Sequence, residues 1–175
     1  FNELGLPSEK YNLEIGSGTH GKQTGEMLKK LEPIVMDENP ELLIVYGDTN
    51  STLAGALVAS KLNVPIAHIE AGLRTNDIYS PWPEEGHRKM VSVIASILFA
   101  PLQDDKNVLL SENIHTSKIH VTGNTAIDSL LRVKKRVTAD ESIYYNRYHN
   151  LIKHPFVLIT AHRRENFGEG ISNIC

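Results

Sequence analysis

The feature that most constrains this chain is the run Leu42-Leu43-Ile44-Val45-Tyr46, a near-continuous apolar stretch closed by the turn Gly47-Asp48-Thr49. A strand with one wet face alternates apolar and polar residues. A run without alternation belongs to a strand covered on both faces, as in a parallel sheet. Next, Leu53, Ala56, Leu57 and Leu62 recur at helical spacing, Asn63 and Pro65 stop that helix, and residues 65–70 read as a second strand. Strand, crossover helix and strand make one βαβ unit.

The pattern repeats. The sequence predicts a helix over 84–96, a strand over 97–100, a helix over 104–112 and a strand over 118–121. A further helix over 124–137 carries Ile127, Leu130, Leu131 and Val133 as its apolar stripe. The expected class is α/β, with a doubly wound parallel sheet. The polar segment 138–154 separates this first domain, 1–137, from a strand at 155–160 that opens a second domain, 155–175. The chain starts at Phe1 and stops at Cys175 in what reads as an opening helix, so both ends are expected to be cut.

Composition removes several classes. Lys and Arg number 18 against 21 Asp and Glu, and apart from Lys134-Lys135-Arg136 and Arg163-Arg164 the basic residues are scattered, so no nucleic-acid surface is expected. The longest apolar stretches, such as 91–100, are too short to span a bilayer, and nothing reads as a signal peptide. The only cysteine, Cys175, excludes an intramolecular disulfide, and no Cys/His spacing predicts a metal site. A reducing, cytoplasmic setting fits best.

Ligands of open α/β sheets sit beyond the carboxyl ends of the strands. That rule selects Asp48, Glu70, Gly123-Asn124 and His162. Each has a structural alternative. Asp48 can cap the following helix. His68 and Glu70, two apart on a strand, share a face and can hydrogen-bond each other. The loop Tyr79-Ser80-Pro81-Trp82-Pro83 leads into Glu84 and Glu85, which can frame a ligand or stabilise a helix start, with Glu84–Arg88 and Glu85–Lys89 pairs at helical spacing. His162, Arg163 and Arg164 at a strand-to-helix turn suit an anion such as phosphate.

Taken together, Gly47-Asp48-Thr49, His68-Ile69-Glu70-Ala71-Gly72-Leu73-Arg74, Pro83-Glu84-Glu85, Val121-Thr122-Gly123-Asn124-Thr125 and His162-Arg163-Arg164-Glu165-Asn166-Phe167-Gly168 strongly resemble the non-hydrolysing UDP-N-acetylglucosamine 2-epimerases. The resemblance implies two Rossmann-like domains in the glycosyltransferase-B arrangement, a UDP-sugar in the cleft between them, and no metal or nicotinamide. It implies elimination of UDP from UDP-N-acetylglucosamine to a bound 2-acetamidoglucal, then re-addition to give UDP-N-acetylmannosamine. By motif position Asp48, Glu70 and Glu84 match active-site carboxylates, with Asp48 and Glu84 the expected acid/base pair and Glu70 expected to bind or orient the sugar. His162 matches a histidine near the diphosphate, with Arg163 beside it, and a homodimer is expected at full length. The family's Gly-Thr-Arg-Pro-Glu loop and first strand are not in this sequence, so the 175 residues alone are expected to be inactive.

Overall fold

A computed structural model describes Gly5 and residues 7–151, 153–160 and Ser172. Contacts divide the chain into two compact units, Phe1–Gly123 and Asn124–Cys175.

The first unit runs α1 (His20–Glu38), β1 (Leu43–Tyr46), α2 (Asn50–Lys61), β2 (Ile66–Ile69), α3 (Glu84–Ile94), β3 (Ile97–Ala100), α4 (Gln103–Ser111) and β4 (Ile119–Val121), with a 3-10 turn at Thr116–Lys118 before the last strand. The four strands form one parallel sheet in the order β1-β2-β3-β4. Every strand from β1 onward thus falls within a few residues of its expected position. Within these strands the order never reverses. Residues paired across a parallel ladder point the same way. The row Val45–His68–Leu98–Ile119 is therefore one line of side chains, and all four are buried. Val45 packs on α2: a Cβ on Gly55 would come 3.1 Å from Val45 Cγ1. The opposite face is thinner, with Ile44 60% and Tyr46 49% exposed.

Local chemistry sets the helix ends. Thr49 Oγ1 accepts from the Thr52 N–H to cap α2, so the cap is Thr49 and the Asp48 carboxylate is left for other partners. Helix α2 gives out where Asn63 turns left-handed at φ +57°, as the Asn63–Pro65 signal predicts. Pro83 occupies the cap position of α3, one residue before Glu84 and Glu85 in its first turn. Helix α1 is absent from the expected elements: Gly21, Gly25 and Pro33 all lie within it and blur a stripe of Met27, Leu31, Ile34 and Val35 that does have helical spacing.

In the second unit α5 (Thr125–Ala139) is capped by Asn124, whose Oδ1 accepts from the Ala126 N–H at 2.8 Å, and α6 (Glu141–Tyr148) follows. The expected polar separator at 138–154 thus contains a helix. Residues 155–160 form no strand, and Val157 and Leu158 are more than four-fifths exposed; a parallel strand needs a ladder partner, and these residues have none among those described.

Gly72, just past β2, lies at φ +97°, and a Cβ there would sit 2.5 Å from the Asp105 carbonyl oxygen, which is backbone and cannot swing aside. Gly72→Ala is expected to cost more than about 2 kcal/mol, read as a lower urea midpoint at unchanged slope. A cost below about 0.5 kcal/mol would show that the loop relaxes freely.

Candidate active site

Because the strands are parallel, their carboxyl ends share one sheet edge. Asp48 follows β1 and Glu70 follows β2 on that edge, and Gly123 follows β4. Helix α3 supplies the rest.

Arg88, on the second turn of α3, crosses to Asp48. Its Nε and Nη2 both donate to Asp48 Oδ2, at 2.8 and 2.7 Å. Its Nη1 reaches Glu85 Oε2 at 3.3 Å, and Glu85 Oε1 accepts from the Asn76 N–H. The expected helical pairs do not form. Arg88 serves Asp48 and Glu85 rather than Glu84, and Lys89 bonds Glu112. The two adjacent glutamates are thereby separated in role: Glu85 is completely buried and held, whereas Glu84 is only half-buried at the first position of α3.

Glu70 sits at φ +70°, past the end of β2, so the strand's alternation no longer places it beside His68. Its carboxylate packs over Gly47, with Oε2 3.5 Å from where a Gly47 Cβ would lie. Partial burial, and after it the charge of Asp48, raise the Glu70 pKa above the usual carboxylate value, with Arg88 opposing. The expected His68–Glu70 hydrogen bond is replaced by one from His68 Nε2 to the Gly47 carbonyl, at 2.8 Å. Burial pushes the His68 imidazole below its ordinary pKa.

A second charged cluster anchors α3. Arg74, its side chain 1% exposed, donates from Nε and Nη2 to both oxygens of Glu112 and from Nη2 to Ser92 Oγ, and Ser92 donates to the Arg88 carbonyl. This ties the loop after β2 to α3, the helix that carries Arg88. The Trp82 ring meets His20 edge-on at 4.9 Å, and His20 Nδ1 lies within hydrogen-bond range of Asn50, two residues after Asp48. His162 and Arg163 lie outside the described residues. Among the described residues no group of acidic, His or Cys side chains could hold a metal ion, and no helix is long and apolar enough to cross a membrane.

Sequence reasoning missed Arg88, His87 and His20. For Arg88 a signal existed, a guanidinium four residues after Glu84, but its true partner is 40 residues away.

A parallel α/β sheet with carboxylates gathered at its strand ends, one of them gripped by a buried arginine, defines a class of ligand-binding or catalytic domain. Comparison with known proteins specifies the family. The family model described as UDP-N-acetylglucosamine 2-epimerase matches residues 1–175. A UDP-N-acetylglucosamine 2-epimerase of Methanocaldococcus jannaschii is 48% identical over 168 residues, 95% of this chain and 45% of its own length. One of Salmonella typhimurium is 42% identical over 94% of this chain and 46% of its own length. The crystal structure of the Neisseria meningitidis enzyme bound to UDP-GlcNAc superposes with a TM-score of 0.88 at 40% identity, covering 95% of this chain and 46% of that one. The Methanocaldococcus jannaschii enzyme in complex with UDP-GlcNAc and UDP gives 0.86 at 48% identity, over 95% and 45%. The chain belongs to the UDP-N-acetylglucosamine 2-epimerase family, and it spans about half the length of the relatives it matches.

Proposed function

We propose that this chain supplies the carboxylate half of a non-hydrolysing UDP-N-acetylglucosamine 2-epimerase. The observation that carries this is the convergence of Asp48 and Glu70 at one sheet edge, with Arg88 and Glu84 arriving on α3. A proton leaves carbon 2 of the sugar as the bond from carbon 1 to the UDP oxygen breaks, giving 2-acetamidoglucal and UDP. Return of UDP to carbon 1, with a proton delivered to the other face of carbon 2, gives UDP-N-acetylmannosamine. The chemistry needs a group that takes and gives a proton, and a held diphosphate.

The motif match favours Asp48 and Glu84 for proton transfer. The geometry argues for a different division. Asp48 has one oxygen fully engaged by the Arg88 fork, which suits a fixed charge that orients the substrate. Partial burial and the Asp48 charge raise the Glu70 pKa, the direction that favours proton transfer near pH 7. Glu70 is therefore assigned the proton transfer at carbon 2, with Glu84 as its partner on the opposite face. His162 and Arg163 are assigned to the diphosphate by their motif position. A homodimer in the cytoplasm is the expected working state, the lone cysteine being in keeping with a reducing compartment.

NMR of the products tests this reading. A family-length chain carrying these residues is expected to convert UDP-N-acetylglucosamine to UDP-N-acetylmannosamine, while the 175 residues alone bind it weakly and do not turn it over. Free N-acetylmannosamine with UDP would indicate the hydrolysing reaction, and binding without turnover at family length would indicate a nucleotide-sugar sensor.

A further inference from the structure

Three consecutive backbone carbonyls at the end of β1 each accept a hydrogen bond from a side chain of a different element. Thr52 Oγ1, from α2, donates to the Tyr46 carbonyl at 2.5 Å. His68 Nε2, from β2, reaches the Gly47 carbonyl at 2.8 Å. His87 Nδ1, from α3, reaches the Asp48 carbonyl at 2.7 Å. A carbonyl only accepts, so both ring nitrogens must carry the proton. The hydrogen is thereby placed on Nε2 of His68 and on Nδ1 of His87. His68 is wholly buried and its other nitrogen, Nδ1, has no hydrogen-bond partner among the described residues. A ring that leaves one polar atom unsatisfied in the core is poorly explained by packing alone, because an apolar residue would fill the space without that penalty.

We propose that His68 and His87 are positioning residues for Asp48, two imidazole hooks that fix the peptide planes on either side of its Cα and so aim its carboxylate. The inference rests on the functional reading of Asp48 given above. The planes flanking a Cα set the direction of its side chain. Here Gly47, at φ +71°, makes the turn that a free chain would not hold uniquely. Arg88 grips the carboxylate itself, so backbone and side chain are fixed from separate directions.

Asn and Gln test the hooks one nitrogen at a time. The amide nitrogen of Asn falls where Nδ1 of histidine is, and that of Gln where Nε2 is. In a family-length chain, His68→Gln and His87→Asn are expected to keep kcat within about threefold, while His68→Asn and His87→Gln lower it about 10–100-fold with KM little changed. Thr52→Ser and Thr52→Val should behave in the same way, the first retaining turnover and the second losing it. Circular dichroism and melting confirm that the variants compared are folded. Equal kcat within each folded pair would overturn the proposal and leave the histidines as core packing.

A second readout needs no turnover. Nitrogen-15 NMR of the imidazoles in the unsubstituted family-length chain is expected to show His68 as the Nε2–H and His87 as the Nδ1–H tautomer. The opposite tautomer at either ring overturns the hook at that residue even if the protein proves to be a sensor, and correct tautomers in a protein without turnover leave the hooks standing while removing the enzymatic reading.

Discussion

Replacing Glu70 by glutamine in a family-length chain is expected to slow epimerisation by about 10²–10⁴-fold, the range for loss of a positioned acid or base. The amide has nearly the same shape, so binding of UDP-N-acetylglucosamine should hold within about threefold. The pH profile carries the sharper sign. Burial and the Asp48 charge raise the Glu70 pKa above its ordinary value of 4.5. A base must be deprotonated to act, so kcat/KM should fall as pH drops through a value above 4.5 and lose that limb in Glu70→Gln. Asp48→Asn should also slow turnover, through loss of orientation. If Glu70→Gln raised KM alone and left kcat untouched, Glu70 would hold the sugar, and proton transfer would revert to Asp48 and Glu84.

The second large effect concerns stability. Arg88→Leu removes the guanidinium that answers both Asp48 and Glu85, and Glu85 has no exposure with which to recover hydration. Stranding a buried charge costs about 3–5 kcal/mol. Urea unfolding should read a loss in that range. Because the groups share one network, adding Glu85→Leu to Arg88→Leu should return part of the loss instead of summing with it. A strictly additive double variant would show that the buried glutamate and arginine are not coupled.

The sequence reveals what is local. The apolar run at 42–46 marks β1, Asn63 with Pro65 ends α2, and the rule of carboxyl strand ends picks Asp48 and Glu70 before any geometry is known. What it hides is non-local or locally contradicted. Arg88 looks like a helical partner of Glu84, and only the packing of α3 against the end of β1 reveals Asp48 as its partner. Glu84 and Glu85 are the same residue type in one turn, yet one is half-exposed and the other sealed, a difference set by the turn's rotation toward the core. Gly21, Gly25 and Pro33 mask α1, whose stripe prevails through tertiary packing on α2. The run 155–160 has the composition of a strand, but composition alone does not provide a ladder.

Proton exchange at carbon 2 tests the central claim most directly. A family-length chain incubated with UDP-N-acetylglucosamine in deuterium oxide should place deuterium at carbon 2 of both UDP-sugars, seen by NMR as loss of the carbon-2 proton signal, and Glu70→Gln should abolish the incorporation. Epimerised product that retains its original carbon-2 proton would contradict proton transfer at that carbon. Wild-type exchange in Glu70→Gln would contradict the role given to Glu70.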